Sequence, residues 1–538
     1  MKKLLQNKKR IVAIILALFC GLETAWAYDF SAVCSSGQTL YYTITNSSQH
    51  FVKIVYPGSS NSNPWGNVPK PQNNLVLPNT VLLDNTTYYV KAVDNYAFYG
   101  CTGLTNVTVG DGITSLGDYS FYGCTNISGL TIGEGITSVG DYSFWNCPSL
   151  ATVHFNAVNC GDMYTYGSSS PYYFSVFNSG TTQNGPSPIT TLTIGSGVNR
   201  IPNYAFRNSP SLNQTLSIPG YVTYIGKEAF LNCSALHGTL TIPNSVTSIG
   251  ADAFNGCSGF TGTLTLSNQL GSIGAGAFCG CSGINGHVVI PNSVGTLGDY
   301  SFYGCTNITE LTIGEGVTSV GDYSFWNCPS LATVHFNAVN CGDMYTYGSS
   351  SPYYFSVFNS GTTQNGPSSI TTLTIGSGVN RIPNYAFRNS PSILGVSFPQ
   401  VLTTIGTGAF YDCINLGSLT LLSTTPPSVG NNAFYNVALT IPVFVPCNLS
   451  GTYNAANGWN QFSNIIELCS NQIVAVAFPP NGGTVIGSGT YAPGQICFLT
   501  ALPNSGYSFV HWTKNGTVVS TNTTYSFTVT ESGSYVAI

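Results

Sequence analysis

A phenylalanine that follows alanine or serine recurs along this chain at nearly constant intervals. The recurring residues are Phe98, Phe121, Phe144, Phe206, Phe230, Phe254, Phe278, Phe302, Phe325, Phe387, Phe410 and Phe434. Most intervals are 23 or 24 residues, and Phe177 or Phe358 divides each of the two 62-residue intervals into 33 and 29 residues. A unit of this length cannot bury its apolar face alone and must stack on its neighbours. We therefore predict a solenoid of about 14 coils between residues 98 and 441.

One coil can be followed from Cys101 to Phe121. Val107 and Val109 are separated by one polar residue, as in a short strand with one buried face. A Gly-Asp-Gly turn follows, and then Ile113 and Leu116 form a second inward pair. Stacking such coils places the strands side by side, so we predict a parallel sheet on one face of a mainly β solenoid.

The second half of the repeat region copies the first. Residues 117–211 and 298–392 are nearly identical at an offset of 181. They differ only at Ser128/Thr309, Gly129/Glu310, Ile136/Val317 and Pro188/Ser369. Two interpretations are open: repeated display of one surface, which suits a multivalent ligand, or tandem copying without functional gain.

The coil consensus resembles the BspA-like class of leucine-rich repeat. Its pattern is Cys-x-x-Leu-x-x-(Leu/Val)-x-(Ile/Val)-(Gly/Pro)-x-x-(Val/Ile)-x-x-(Ile/Leu)-Gly-x-x-Ala-Phe, with clear instances at Leu236–Phe254 and Leu416–Phe434. The resemblance covers roughly residues 90–445. It implies a surface-exposed or secreted bacterial protein of Bacteroidales type, associated with adhesion to host matrix proteins or other cells.

Charge is scarce. Only 33 of 538 residues are Asp, Glu, Lys or Arg, which is 6% against about 25% in an ordinary soluble domain. Residues 28–538 keep nine basic residues, too few for a surface that follows a phosphate backbone, so no nucleic-acid partner is expected. The chain also lacks the common catalytic motifs, and carboxylates are sparse. We predict no enzyme activity, no cofactor and no metal site.

Both ends differ from the repeats. Residues 1–27 have the basic start, apolar run and Ala25-Trp26-Ala27 site of a secretory signal peptide, and no other stretch is long and apolar enough to span a membrane. Residues 28–95 are predicted to form an N-terminal β cap, 96–445 the solenoid, and 446–470 a C-terminal cap. Residues 471–538 resemble the internalin B-repeat, which implies a small all-β module. Because the sequence ends at Ile538, where a last strand begins, we expect this module to be truncated.

Nine cysteines occupy one slot of the repeat, three residues after the phenylalanine. They are Cys101, Cys124, Cys147, Cys233, Cys257, Cys281, Cys305, Cys328 and Cys413. Their side chains run parallel in a stack rather than converging, so we predict buried, reduced thiols. Cys447 and Cys469 flank the segment after the last coil and are the pair best placed for a disulfide.

Candidate binding residues lie on two kinds of surface. The outward residue of each strand is usually a hydroxyl, in a row that runs to Thr420 and Thr440, and the candidates are Thr241, Thr265 and Thr312. His154 and His335 are isolated exceptions at equivalent positions. Strand propensity alone also explains such threonines. The two long coils carry tyrosine-rich insertions, and their candidate residues are Tyr164, Tyr166, Tyr172, Tyr173, Tyr345, Tyr347, Tyr353 and Tyr354. These rings either form an exposed platform for a ligand or fold back to fill the wider coil.

The predicted function is therefore non-enzymatic adhesion through the solenoid. The expected partners are proteins on host or neighbouring cells. The alternatives are a glycan-binding surface protein that uses the tyrosine insertions, and a structural spacer that presents other modules. The predicted location is the bacterial cell surface or the medium.

Overall fold

The computed structural model describes residues 28–166, 173–180, 185–347, 354–361, 366–469, 472–492 and 494–538. The predicted signal peptide, residues 1–27, lies outside them. The described chain is almost entirely β and forms two compact units, which divide between Leu212 and Asn213. No helix in the described ranges has the length and apolar character needed to cross a bilayer.

The first unit contains 15 described strands. They are β1 (Phe30–Val33), β2 (Thr39–Asn46), β3 (Phe51–Val55), β4 (Asn73–Val76), β5 (Thr80–Leu83), β6 (Thr86–Val93), β7 (Leu104–Thr108), β8 (Ser115–Leu116), β9 (Gly129–Ile132), β10 (Ser138–Val139), β11 (Thr152–Phe155), β12 (Tyr164–Tyr166), β13 (Tyr173–Ser175), β14 (Thr191–Ile194) and β15 (Arg200–Ile201).

Coils of the first unit contribute to two parallel sheets rather than one. The order β4-β7-β9-β11-β14 forms the predicted sheet, in which Val107 pairs with Leu130 and Val153 with Leu192. The inward pair that follows each turn forms a second sheet, in which β6, β8 and β10 are neighbours. The sequence pattern predicted that these residues point inward, but it did not predict the strands that they form. β8 and β10 are only two residues long, which is too short to show an alternating pattern.

The N-terminal segment extends both sheets past the first coil. β1, β2 and β3 are antiparallel, β3 runs parallel to β6, and β4 pairs with β7. The buried ring of Trp65 lies 6.3 Å from that of Phe98, the first of the repeat phenylalanines. The segment thus supplies strand partners and apolar cover for the first coil.

The described residues of the second unit form strands β16 to β43 and one short helix. The strands are β16 (Tyr224–Ile225), β17 (Leu240–Thr241), β18 (Ser248–Ile249), β19 (Leu264–Thr265), β20 (Ser272–Ile273), β21 (Asn285–Ile290), β22 (Thr296–Leu297), β23 (Asn307–Ile313), β24 (Ser319–Val320), β25 (Thr333–Phe336), β26 (Tyr345–Tyr347), β27 (Tyr354–Ser356), β28 (Thr372–Ile375), β29 (Arg381–Ile382), β30 (Gly395–Phe398), β31 (Thr404–Ile405), β32 (Ser418–Leu421), β33 (Ser428–Val429), β34 (Val443–Pro446), β35 (Ile465–Leu468), β36 (Gln472–Ala477), β37 (Gly483–Ile486), β38 (Gly489–Thr490), β39 (Ile496–Pro503), β40 (Trp512–Lys514), β41 (Thr517–Ser520), β42 (Thr524–Thr528) and β43 (Gly533–Ala537). Helix α1 spans Ser450–Ala455.

The same two-sheet coil builds the second unit. Parallel ladders β17-β19, β21-β23-β25-β28 and β30-β32-β34-β35 form one face, and β16-β18-β20-β22-β24 and β29-β31-β33 form the other. At the C-terminal end of the ladder, the rings of Trp459 and Phe462 lie 5.8 and 5.4 Å from that of Phe434.

The repeat phenylalanines stack into a continuous core within each unit. In the second unit the rings of Phe230, Phe254, Phe278, Phe302 and Phe325 follow one another at 5.1–5.5 Å, nearly parallel. Each is at most 1% exposed. The Phe254 N–H donates to the Ala277 carbonyl at 2.8 Å, so the coils are also hydrogen-bonded along this side.

Each of the twelve phenylalanines that follow alanine or serine in the repeats sits in a corner with two left-handed residues. The residue two positions after such a phenylalanine is always Gly, Asn or Asp, as left-handed backbone favours. The residue two positions before it is a tyrosine in seven coils: Tyr96, Tyr119, Tyr142, Tyr204, Tyr300, Tyr323 and Tyr385. Bulky residues rarely adopt the left-handed conformation, so residue preferences alone do not predict a tyrosine at this position.

The cysteines of the repeat slot are buried and not joined in disulfides, in agreement with the prediction. Cys447 and Cys469, the pair best placed for a disulfide, form one, with the Cα atoms 4.6 Å apart.

The C-terminal module packs two sheets, β38-β36-β43-β40-β41 and β37-β39-β42, around Trp512, Leu499 and Tyr535. Its last strand, β43, pairs with both β36 and β40. The module contacts the outward face of the last coils, where the Thr420 hydroxyl donates to Asn515 Oδ1 at 3.0 Å.

Candidate functional site

The outward face of the first unit's long-strand sheet carries a row of paired polar residues. Thr108, Thr131, His154 and Thr193 are consecutive partners across β7, β9, β11 and β14. Thr131 is half-buried and the other three are exposed. The row has no Asp, Glu, Lys or Arg, so recognition there depends on hydrogen bonds and surface shape.

The second unit places two of the three candidate threonines side by side. Thr241 and Thr265 are exposed register partners on β17 and β19. Thr312 lies on β23, half-buried between Val289 and His335 of the adjacent strands.

The outward row ends earlier than the sequence indicated. Thr420 is only 4% exposed because the C-terminal module covers it. The sequence also assigned Thr440 to this row, and that assignment is wrong. The register pairs Thr420 with Phe444 on β34, so Thr440 lies before the strand.

His335 is not an isolated histidine. Its Nε2 lies 2.8 Å from Oε1 of Glu310, and the same oxygen lies 3.7 Å from Nδ1 of His287. The other ring nitrogens contact hydroxyls, His335 Nδ1 at 2.6 Å from Thr374 Oγ1 and His287 Nε2 at 2.8 Å from Thr312 Oγ1. We call His287, Glu310 and His335 the histidine cluster.

The tyrosine insertions form antiparallel hairpins. β12 pairs with β13, with Tyr166 opposite Tyr173, and β26 pairs with β27, with Tyr347 opposite Tyr354. Tyr345 lies at the start of β26, and Tyr172 and Tyr353 lie outside the described residues. Tyr164 is half-buried, with its ring 5.8 Å from the buried ring of Tyr204 in an edge-to-face contact, so this candidate folds back onto its coil.

A second set of tyrosines was missed by the sequence analysis. The rings of Tyr96, Tyr119 and Tyr142 stack at 5.0 and 4.8 Å, and Tyr99 stacks on Tyr122 at 5.1 Å beside them. In the second unit, Tyr300 and Tyr323 repeat the contact at 4.8 Å. Desolvation and the neighbouring phenols raise the pKa of Tyr119 to about 12. We call these stacked rings the tyrosine ladder.

The middle ring of the longest stack offers its edge rather than its faces. Tyr119 lies between Tyr96 and Tyr142, so both of its faces are covered, and a sugar needs an open face to stack. Tyr300 begins its stack, because the residue in its slot on the preceding coil is Gly276, and Tyr300 is 43% exposed. The spacing of 23 residues between these stacked tyrosines was the available signal.

One group of three metal-type donors already lies within 4.8 Å in the described structure: Cys447, Glu467 and Cys469. Its two thiols are joined in the disulfide and cannot bind a metal. Oε1 of Glu467 accepts the Ser450 N–H at 2.9 Å, at the start of α1, and such hydrogen bonds lower the pKa of its carboxyl. The group is therefore structural.

Comparisons with known proteins agree with this architecture. The family model described as BspA type Leucine rich repeat region matches residues 79–182, 178–286, 237–348 and 362–471. A divergent InlB B-repeat domain matches residues 474–537. A search of curated proteins finds no match.

Solved structures include a leucine-rich repeat protein from Bacteroides ovatus, 20% identical, covering 82% of this chain and 100% of its own, with a TM-score of 0.49. A leucine rich cell surface protein from Faecalibacterium prausnitzii is 17% identical and covers 82% and 95%, with a TM-score of 0.31. The pneumococcal vaccine antigen PcpA is 13% identical and covers 82% and 99%, with a TM-score of 0.32. The repeat match spans well over half of the residues, and the chain belongs to the BspA-type leucine-rich repeat family.

Proposed function

We propose that this chain is a non-enzymatic, surface-exposed or secreted protein that binds proteins on host or neighbouring cells through the outward face of its long-strand sheets. Its family suggests a binding role. The observation that carries the proposal is the exposed, register-paired row of hydroxyl and imidazole groups on that face.

The physical argument rests on what the row exposes. In-register parallel strands hold neighbouring outward side chains about 4.8 Å apart. A partner that docks there buries hydroxyls whose hydrogen bonds it can replace, without desolvating a fixed charge. Recognition on most of this face then depends weakly on salt, unlike the binding of a charged surface.

The test measures binding of the mature protein to a panel of matrix proteins and host cells. Thr241→Glu with Thr265→Glu puts two like charges at adjacent register positions and is expected to weaken binding at least tenfold. Ser258→Glu, at an exposed turn between strands, is the matched control and is expected to bind normally. Absence of micromolar binding to every panel member, or equal loss in the control, would overturn the proposal.

A glycan ligand is the alternative, and the tyrosine hairpins favour it. Cross-strand pairs such as Tyr166 with Tyr173 place two aromatic residues at neighbouring backbone positions away from the stacked ladder. A glycan array compares the wild type with Tyr172→Ala/Tyr173→Ala and its copy Tyr353→Ala/Tyr354→Ala. Signals lost in both variants support this alternative, and unchanged signals remove it.

A further inference from the structure

The histidine cluster brings three metal-type ligands onto the outward face of one sheet. His287, Glu310 and His335 come from the consecutive parallel strands β21, β23 and β25. His287 and Glu310 are register partners, and His335 is the partner of Thr312, two residues beyond Glu310. Because residues two apart in a strand share a face, all three side chains project to the same side.

One carboxylate oxygen is the meeting point of the cluster. Glu310 Oε1 lies 2.8 Å from His335 Nε2 and 3.7 Å from His287 Nδ1, and the ring centroids are 6.1 Å apart. The three side chains are 31–41% exposed, so an ion from solvent can reach them.

Two threonine hydroxyls hold the imidazoles from the other side. Thr374 contacts Nδ1 of His335 and Thr312 contacts Nε2 of His287. A metal-binding histidine typically has its second nitrogen held in this way, which fixes the ring orientation and the tautomer. In the tautomer in which each hydroxyl accepts a ring N–H, the nitrogens that face Glu310 present lone pairs. A cation at the meeting point would then bind both imidazoles and the carboxylate.

The donor set matches a borderline-soft divalent ion. Imidazole and carboxylate are zinc ligands at about 2.0–2.2 Å, and two imidazoles on one tetrahedral ion have ring centres roughly 5 Å apart. The observed centroids are 6.1 Å apart, so the rings must approach each other by about 1 Å to share one ion. We propose that His287, Glu310 and His335 form a surface site for a divalent transition-metal ion, with Zn²⁺ as its probe and water completing the coordination.

The first copy of the duplication is a built-in comparison. At the offset of 181, Asn106, Gly129 and His154 occupy the three positions on β7, β9 and β11. Asn106 pairs with Gly129 just as His287 pairs with Glu310. The same framework therefore exists without two of the three ligands, and Glu310 is one of the few positions at which the copies differ.

Calorimetric titration of the mature protein with ZnCl₂ at pH 7.5 tests the proposal. All proteins carry Cys279→Ser, because Cys279 is the free cysteine of the described chain that is not fully buried. We expect one site of micromolar affinity, weakened at least tenfold by Glu310→Gly. This variant restores the residue of the first copy and is expected to keep the wild-type melting temperature.

A gain-of-function variant completes the test. Asn106→His/Gly129→Glu builds the two missing ligands in the first copy. The first substitution also removes the Asn106 Oδ1 atom, which would otherwise lie 2.4 Å from the Cβ of a side chain at position 129. We expect the stoichiometry to rise from one to two Zn²⁺ per chain. Absence of zinc binding below millimolar concentration, or binding unchanged by Glu310→Gly, would overturn the proposal.

Discussion

At the scale of single residues, the repeat cysteine is a hydrogen-bond donor as well as a core residue. The Sγ–H of Cys281 donates to the carbonyl of Phe254 at 3.1 Å, and that of Cys305 donates to Phe278 in the same way. Each thiol thus satisfies a backbone acceptor of the preceding coil in an apolar setting. Serine fills the slot in Ser209 and donates to Phe206 of its own coil at 2.8 Å. The slot requires a small buried residue, since Val437 fills it without any donor, and cysteine meets this requirement without forming disulfides.

Burial of these thiols makes the protein sensitive to alkaline pH. Desolvation raises the pKa of Cys328 to about 12 from the ordinary value of 9.0, and raises those of Cys124 and Cys305 well above it. Above pH 9 the unfolded chain therefore releases protons that the folded chain retains. Stability present below pH 9 is lost as pH rises toward 12, by up to about 1.4 kcal/mol per pH unit for each thiol.

Urea unfolding between pH 8 and 11 measures this effect. Cys281→Ala, which removes one such thiol, is expected to make the decline of the unfolding free energy with pH shallower. Ser209→Ala, in the same slot without a titrating group, is the control. An equal slope in Cys281→Ala and the wild type would contradict the prediction.

The same burial limits thiol chemistry in the folded protein. Among the described free cysteines, only Cys279 is half-exposed. We expect a thiol reagent at pH 8 to modify one cysteine quickly, and Cys279→Ser to remove this fast phase. Several fast thiols in the Cys279→Ser variant would show that the slot cysteines are accessible.

At the scale of the coil, the sequence identified the inward residues well and the backbone less well. Val107, Val109, Ile113 and Leu116 are all buried, as their spacing predicted. The second strand was missed because two residues carry no detectable alternation. The left-handed tyrosine was missed because its conformation is unfavourable locally, by about 1–2 kcal/mol. Ring stacking and hydrogen bonds between coils offset that cost. Both are contacts with residues 23 or 24 positions away, which local residue preferences do not take into account.

The phenylalanine stack should dominate coil stability. Phe254 is fully buried between Phe230 and Phe278, at 5.4 and 5.5 Å. Phe254→Ala leaves a cavity between two rings and is expected to lower the unfolding free energy by about 3–5 kcal/mol. Urea denaturation measures this, with Tyr221→Ala, at a ring that is 72% exposed, as the control expected to change little. A loss below 1 kcal/mol would show that neighbouring coils collapse into the space.

At the scale of the whole molecule, the duplication conceals a local difference. The sequence shows Gly129 replaced by Glu310, but the spacing between His287, Glu310 and His335 becomes meaningful only when the strand register is known. The position that matches His287 two coils later is Thr333, two residues before His335, so a scan of matching coil positions would not have paired the histidines. Glu310 lies opposite His287 only because the strand register shifts between Gly286 and His287. No pattern in the sequence predicts that shift.

The contact between the C-terminal module and the last coils of the second unit is a backbone contact. Gly516 approaches Gly395 so closely that a Cβ on Gly516 would lie 2.2 Å from the Gly395 carbonyl oxygen. The Thr420 hydroxyl lies 3.2 Å from that of Ser534 beside it. Two glycines thus permit the module to cover the outward row at Thr420, which removes these positions from any ligand surface.

Gly516→Ala should therefore detach the module from the coils without unfolding either. Gly516 has a φ of 83°, so alanine there adds backbone strain as well as the clash. Gly506→Ala is the matched control, because its φ is 88° and a Cβ there meets nothing within 4 Å. Calorimetry is expected to show the module melting separately in Gly516→Ala but with the coils in the control. Amide exchange should rise at residues 515–517 only in Gly516→Ala. If both variants melt alike, the glycine contact does not couple the module to the coils.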